Sequence, residues 1–166
     1  VQYENVSSVN VKGVEGEFSY NFSDMLRFMA NCSYQKAVDM NRYKEDGKPS
    51  ITYKNKLPNR PWLFGNAEMN LYFRNLIGVY DKLMIGYHYQ YVHWFFLTWD
   101  AYGSLSVKSK IPTQYQHNAV VSYSWKRERY NLSLECNNLF DRELYDNFML
   151  QKPGRAFFLK FRLFIN

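Results

Sequence analysis

The sequence predicts an all-β protein built as an antiparallel up-and-down meander of seven to eight long strands. Apolar and polar residues alternate with a period of two along seven separate stretches, which is the pattern of strands with one apolar and one polar face. Several of these stretches exceed the about five or six residues that are usual in globular sheets. The segments between them are alternately short and long, which predicts a regular meander.

The first predicted hairpin joins two long strands. Residues 14–22 alternate, Ser23-Asp24 supplies a tight turn, and residues 26–34 resume the alternation. Residues 39–61 then break every period and contain glycine and several prolines. This composition predicts a long polar loop.

The last predicted strand shows the alternation most clearly. Phe157, Leu159 and Phe161 lie on one face, while Lys160 and Arg162 point the other way. The predicted elements between the first hairpin and the chain end, in order, are a third strand at 63–73, a turn at 75–81, a fourth strand from 82 to about 96, a long loop at 97–115, a fifth strand at 119–125, a charged turn at 126–129, a sixth strand at 130–137, a long loop at 140–153 and the seventh strand at 156–166.

Composition narrows the class of protein. The chain has 166 residues and a net charge of +6, but its lysines and arginines are scattered and form no stripe, so we expect no nucleic-acid partner. It contains no run of about 18 apolar residues, so a transmembrane helix is excluded, although membrane-spanning strands leave only a weak hydropathy signal. Cys32 and Cys136 both fall at apolar positions and are interpreted as small buried or lipid-facing thiols.

Alternation alone does not say whether the apolar face meets a protein core or lipid. Connections that are short at one end and long at the other are typical of outer-membrane barrels, with short turns in the periplasm and long loops outside. Aromatic residues cluster near both strand ends, as in the interfacial girdles of such barrels. These clusters are Tyr20, Phe22, Phe73, Tyr123, Trp125 and Tyr130 near the short turns, and Trp62, Phe64, Trp94, Phe95, Phe157 and Phe158 near the long loops.

Two other architectures fit the alternation. A soluble lipocalin-like barrel would bind a small hydrophobic ligand inside, and a small complete membrane barrel would have a structural or adhesive role. The polar face of the predicted strands would line the lumen of a membrane barrel. Its charged residues are Glu15, Glu17, Arg27, Glu68, Arg74, Glu135, Lys160 and Arg162.

No catalytic pattern occurs in the sequence. The three histidines, His88, His93 and His117, lack metal-ligand spacing, and no nucleophile elbow, catalytic triad or phosphate loop is present. We therefore expect no enzyme activity, no metal and no cofactor. The long loops hold the candidate ligand-binding residues, because aromatic rings give flat apolar contacts and arginines contact anions. These candidates are Arg42, Tyr43, Arg60, His93, Trp94, Trp99, Asp100 and Tyr102.

Four stretches resemble motifs of one family, the C-terminal part of the TonB-dependent outer-membrane receptors. They are Val11 to Glu17, Leu57 to Trp62, Asn137 to Asp141, and Pro153-Gly154-Arg155 followed by the last alternating strand. One departure is the chain end, where Phe164 is followed by Ile165-Asn166 rather than standing last. The motif residues, to which the resemblance gives structural roles, are Gly13, Glu15, Asn138, Leu139, Phe140, Asp141, Pro153, Gly154 and Arg155.

The resemblance implies that residues 1–166 are a C-terminal segment of a 22-stranded barrel in the outer membrane of a Gram-negative bacterium. The plug domain and the TonB box have no counterpart in the sequence, and residues 1–12 are a candidate eighth strand. The implied function is TonB-dependent import of a scarce nutrient: an iron-siderophore, haem, cobalamin or a glycan. The implied partners are the plug domain of the same receptor, TonB, outer-membrane lipid, and a small-molecule nutrient or metal chelate.

Overall fold

One antiparallel sheet of seven strands dominates the computed structural model, which describes residues 8–99, 101 and 110–165. The seven strands are β1 (Val9–Ser23), β2 (Leu26–Asp39), β3 (Leu63–Arg74), β4 (Lys82–Val92), β7 (Gln114–Trp125), β8 (Tyr130–Asn137) and β9 (Ala156–Leu163). Their order in the sheet is the order of the chain, and every neighbouring pair is antiparallel. The predicted all-β meander is therefore confirmed.

Two short strands stand apart from the sheet. β5 (Phe95–Phe96) and β6 (Lys110–Ile111) form a separate ribbon between β4 and β7. The prediction that the fourth strand continues to Phe96 is wrong, because the backbone leaves the sheet after His93, whose N–H still donates to Leu63 O at 2.9 Å. The next N–H, of Trp94, instead donates to Thr113 Oγ1 at 3.2 Å.

The other predicted boundaries differ by a few residues. β1 begins at Val9 rather than at position 14, so the described residues 9–12 belong to β1 and not to a separate eighth strand. The first turn consists of Asp24 and Met25, because Ser23 Oγ accepts the Met25 N–H at 3.1 Å and Ser23 itself still belongs to the strand. The long connections cover 40–62, 93–113 and 138–155.

The sheet has a loop end, which carries these three long connections, and a turn end, which carries the short connections at 24–25, 75–81 and 126–129. The predicted alternation of short and long segments is therefore present. Within the described residues, β1 and β9 remain at the two edges and the sheet does not close on itself. No helix among these residues has the length and apolarity needed to cross a membrane.

The strand register gathers the apolar positions on one face, called here the apolar face. Phe28 pairs with Met69, Met69 with Tyr87, and Tyr87 with Ala119, so the apolar rows run unbroken from strand to strand. No second layer of described residues covers this face, and Leu159 is 72% exposed. A large exposed apolar surface of this kind marks a region that contacts a membrane or another protein.

The opposite, polar face carries hydrogen-bonded polar side chains. Lys160 Nζ lies 2.6 Å from Glu135 Oε2, and Asn118 Nδ2 lies 3.3 Å from His88 Nδ1. Asn131 Nδ2 donates to Ser122 Oγ at 2.7 Å. By register, the charged strand residues predicted to face the lumen share this face.

Aromatic residues lie at both ends of the sheet, but the predicted sets need correction. At the turn end, Trp125 stacks on Tyr130 with ring centroids 5.4 Å apart. By register, Phe64 and Phe158 belong to the polar face. Phe95 is only 2% exposed and lies in the β5–β6 ribbon rather than in a girdle.

Asp81 organises the 75–81 turn. Its carboxylate accepts the N–H groups of Leu76, Ile77 and Gly78 at 2.8, 2.9 and 2.7 Å, and the Tyr123 hydroxyl at 2.7 Å. The Tyr123 hydrogen bond, followed by those from the backbone, lowers the pKa of Asp81 from its ordinary 3.8 to about 2. The turn between β3 and β4 is thereby attached to β7.

We expect the hydrogen bonds of Asp81 to set part of the acid stability of the protein. Because the pKa of Asp81 is depressed in the folded state, its contribution is complete above about 3.8 and is lost as the pH falls through about 2. Tyr123→Phe removes the largest cause of the depression, so acid unfolding of the full-length receptor in detergent should begin at higher pH. Tyr145→Phe, which removes an exposed hydroxyl bonded to Glu143, is the matched control. Identical acid-unfolding curves for the two variants would contradict this role.

Gly13 lies where β1 and β2 come close together. A Cβ atom at Gly13 would lie 2.6 Å from Tyr34 O and 3.3 Å from Gln35 Cα, whereas one at Gly16 in the same strand would meet nothing within 4 Å. We expect Gly13→Ala to destabilise the protein by about 1–3 kcal/mol, because backbone atoms must move apart. Gly16→Ala should change the free energy of unfolding by less than about 0.5 kcal/mol. Denaturant unfolding in detergent measures both, and equal effects would show that close approach is not why glycine is needed at position 13.

Candidate functional site: the long loops

The three long connections meet at Asn59. Its N–H donates to Phe96 O at 2.7 Å. With the side-chain amide turned so that its nitrogen faces carbonyl groups, Nδ2 donates to Asn147 O at 2.8 Å and to Leu97 O at 3.2 Å. The backbone φ of Asn59 is 56°, in the left-handed region that asparagine tolerates better than most residues. One residue thus connects the loops 40–62, 93–113 and 138–155.

The loops contain buried apolar side chains. Phe95 pairs with Ile111 across the β5–β6 ribbon, and these side chains are 2% and 0% exposed. Leu144, in the third long loop, is 3% exposed. These are the most buried apolar side chains among the described residues, so the loop end is itself a folded structure.

Loop 40–62 is ordered from its base by Asp39. The Asp39 carboxylate is 2% exposed and accepts the Thr52 hydroxyl at 2.7 Å and the Asn41 N–H at 2.9 Å. At the tip of the loop, the Lys48 N–H donates to Asp46 Oδ1 at 3.1 Å, and this bond is the largest cause of a lowered Asp46 pKa. Carboxylate–backbone hydrogen bonds therefore hold both the base and the tip of the loop.

Two of the predicted binding residues lie next to each other at the point where the chain leaves the sheet. The Trp94 ring lies 5.8 Å from that of His93, and the Lys110 ammonium lies 4.7 Å from the Trp94 ring centroid. Trp94 also packs edge to face on Phe96 at 5.4 Å. Lys110 and Phe96 were missed from the sequence because their contact with Trp94 depends on the β5–β6 ribbon.

His93 contacts residues of the apolar face. Its Nδ1 is hydrogen-bonded to the Tyr91 hydroxyl at 2.5 Å, and its ring centroid lies 4.3 Å from that of Trp62. Trp62 packs in turn on Tyr34 at 5.9 Å and lies beneath the Lys56 ammonium at 4.9 Å. The structure therefore places His93 at the border between the loops and the apolar face.

The other predicted binding residues are spread over the loop end. Arg42 Nε donates to the Tyr53 hydroxyl at 3.1 Å within its own loop. Tyr43 is 66% exposed, Arg60 is exposed and Trp99 is half-buried. Asp100 and Tyr102 lie outside the described residues.

The two C-terminal sequence motifs form one structure. Asp141 Oδ1 accepts the Arg155 N–H at 2.7 Å, and Arg155 Nη1 lies 3.5 Å from Leu139 O. A Cβ atom at Gly154 would lie 2.7 Å from Asp141 Oδ1, so the lack of a side chain there makes room for the carboxylate. Pro153 precedes this contact and is exposed. The motifs together fix the start of β9.

Asn138 and its neighbours join this structure to the sheet. The Asn138 side chain is 2% exposed; its Nδ2 donates to Arg142 O at 2.8 Å and its Oδ1 accepts the Arg142 N–H at 3.0 Å. Its own N–H donates to Asn118 Oδ1 on β7 at 2.9 Å. The Leu139 N–H donates to His117 O at 2.7 Å, and the Phe140 ring packs on the His117 ring at 4.8 Å.

The motif near the start of the chain, Val11 to Glu17, lies within the edge strand β1. Gly13 provides the close approach of β1 and β2 described above, and Glu15 is exposed and pairs with Ser33 across the same two strands.

No cluster of three or more His, Cys, Asp or Glu side chains able to hold a metal ion occurs within residues 8–99, 101 and 110–165.

Comparisons with known proteins agree with this architecture. Residues 1–139 match the family model described as TonB dependent receptor-like, beta-barrel. The fold is similar to the crystal structure of the ferric yersiniabactin uptake receptor FyuA from Yersinia pestis, with a TM-score of 0.61 and 18% sequence identity. That match covers 92% of this chain and 22% of the receptor, so the chain spans less than a quarter of its length. No curated protein sequence matches the chain.

Proposed function

Because the chain belongs to the TonB-dependent receptor β-barrel family, we propose that it forms part of the barrel wall of a receptor that imports a scarce nutrient across the outer membrane. Barrels of this family lie in the outer membrane of Gram-negative bacteria, and its members are transporters rather than enzymes. The observation that carries the proposal is the single-layer sheet, with an uncovered apolar face for lipid and a polar face for a lumen.

Residues 1–166 would be a C-terminal segment of this barrel, and the plug domain and the TonB box would lie elsewhere in the receptor. The N–H and C=O groups at the open edges of β1 and β9 need partners, since unpaired backbone groups in lipid cost several kcal/mol each. The remaining barrel strands would supply those partners. The long loops would then face outward and the short turns would face the periplasm.

In this arrangement the polar face contacts the plug domain. Glu68, His88 and Asn118 form a row across β3, β4 and β7, and Lys160 is paired with Glu135 further along the same face. Hydrogen-bonding side chains of this kind hold a polar partner while leaving it able to move, because water replaces each contact that breaks. TonB, acting on the plug, would supply the work of transport.

The loop end would bind the nutrient. Trp94 and Phe96 offer flat apolar surface beneath the Lys110 ammonium, which suits an anionic chelate with an aromatic or apolar body. Arg42, Tyr43, Arg60, Trp99, Asp100, Tyr102 and, at the border, His93 would extend this surface. The ligand classes that we propose are an iron-siderophore, haem, cobalamin or a glycan. Anionic chelates fit best, because Arg42, Arg60 and Lys110 at the loop end are cationic.

Uptake by the full-length receptor tests the proposal. Cells that express it should accumulate a labelled chelate only when TonB is present, and uptake without TonB would contradict the assigned mechanism. Trp94→Ala should weaken chelate binding by about tenfold or more, as expected for an aromatic side chain at the centre of an interface. Trp125→Ala, which removes a tryptophan at the turn end, should leave the affinity unchanged. Equal affinities for the wild type and the Trp94 variant would exclude Trp94 from the ligand site.

A further inference from the structure

We propose that Lys12, Lys36 and Lys56 form a binding site for the phosphate of a lipid headgroup, on the apolar face at the loop end. Among the described strand positions of that face, Lys12 and Lys36 are the only charged residues. They are direct partners across β1 and β2. Both side chains are exposed.

Among the described strand positions of the apolar face, this placement leaves the positive charge unbalanced. Directly opposed side chains on one sheet face have Cβ atoms about 4.5–5.5 Å apart, and like charges at that separation destabilise the pair. No carboxylate occupies a described strand position on the apolar face to compensate them. An anion bound between the two ammonium groups would turn this repulsion into attraction.

Lys56 completes the site from the adjoining loop. It pairs with Val38 in an isolated bridge, and Val38 shares the apolar face with Lys36, two residues earlier in β2. The bridge therefore places Lys56 next to that face. Its ammonium lies 4.9 Å from the centroid of the Trp62 ring, which packs on Tyr34. Three lysines from neighbouring segments therefore lie at the loop end of the apolar face.

The same geometry selects a lipid over a free ion. Tyr34 and Trp62 lie next to the lysines on the side of the sheet centre, as aromatic residues do at the level of lipid headgroups. The uncovered apolar rows begin beside them, at Leu63 and at Val14, which is 73% exposed. Lysine stems lie along apolar surface while their ammonium groups reach the headgroup layer. A ligand that joins a phosphate to acyl chains would contact both parts of this surface.

This inference rests on the proposed orientation of the barrel but not on the nutrient. The test uses the full-length receptor purified in detergent and titrated with a phosphate-bearing outer-leaflet glycolipid, with retention measured by native mass spectrometry. A triple Lys12→Gln, Lys36→Gln, Lys56→Gln variant should bind the lipid at least about tenfold more weakly, since each lysine near an anionic surface contributes measurably. The matched control replaces Lys48, Lys54 and Lys152, exposed loop lysines, with glutamine and removes the same charge.

Each outcome is decisive. The triple Lys→Arg variant at the three site positions should retain the lipid, which shows that charge rather than a folding defect explains the glutamine result. Equal losses in the site and control triples would overturn the proposal, as would full retention by the site triple. Displacement of the lipid by inorganic phosphate at an equal phosphate concentration would also overturn it in favour of a free-anion site. TonB-dependent uptake by the site triple tells failure of this inference apart from failure of the proposed transport function.

Discussion

Asn59→Asp should separate the three long loops and sharply weaken ligand binding. The asparagine amide donates to two carbonyl oxygens at 2.8 and 3.2 Å, and aspartate would place an anionic acceptor against both. The loss of two hydrogen bonds lowers the stability of the loops by about 1 kcal/mol each, and the unpaired carbonyls and the added repulsion lower it further. We expect a total of about 2–4 kcal/mol in loop stability and at least about tenfold weaker chelate binding.

Three substitutions separate the contributions at this position. Asn59→Gly keeps the positive φ and the bond to Phe96 but loses the amide, whereas Asn59→Ala also incurs about 1 kcal/mol of left-handed strain. The expected order of damage is therefore aspartate, then alanine, then glycine. Hydrogen exchange of segments 94–97 and 144–150 in the full-length receptor measures loop opening.

Asn75 provides the matched control for the aspartate variant. It has a φ of 55°, close to that of Asn59, but it uses its side-chain oxygen, which accepts the Tyr80 N–H at 2.9 Å. Asn75→Asp keeps that acceptor, so its effect should be small. If Asn59→Asp proved as mild as Asn75→Asp, the amide of Asn59 would not be what connects the loops.

The sequence predicts the sheet well because strand periodicity is a local signal. Alternation alone assigns Phe157 and Lys160 to opposite faces, and the register of β8 and β9 confirms that assignment. The error at Phe96 arose because the aromatic run from Trp94 to Phe96 favours a strand, although the strict alternation stops near Val92. In the structure the Trp94 N–H donates to Thr113, nineteen positions further along the chain. Nothing within the predicted strand itself reports that contact.

The loops were less predictable because they have no period. Their aromatic and cationic composition indicated a binding surface, and Trp94 does contact a cation, but the identity of that cation, Lys110, follows only from the β5–β6 ribbon. The role of Asn59 depends on carbonyl groups from two other loops. The resemblance singled out the motifs around Asn138 and Gly154, yet their mutual contact through Asp141 needed three-dimensional placement.

Asn138→Ala should destabilise the folded barrel segment by about 3 kcal/mol. The side chain is 2% exposed and forms both hydrogen bonds to the Arg142 backbone, so alanine leaves a buried N–H and a C=O without their partners. Alanine at a φ of 53° adds about 1 kcal/mol of strain, which Asn138→Gly would avoid. The glycine variant should therefore be intermediate.

Asn137, the residue before Asn138, provides the matched control for Asn138→Ala. Asn137 has the same side chain but is exposed at the end of β8, so Asn137→Ala should change the free energy of unfolding by less than about 0.5 kcal/mol. Because Asn138 lies between β8 and the motif that starts β9, its loss should open the β8–β9 hairpin first, and hydrogen exchange in residues 156–163 should rise before that in β2 or β3. Equal unfolding energies for the two alanine variants would show that the buried amide does not hold the C-terminal hairpin in place.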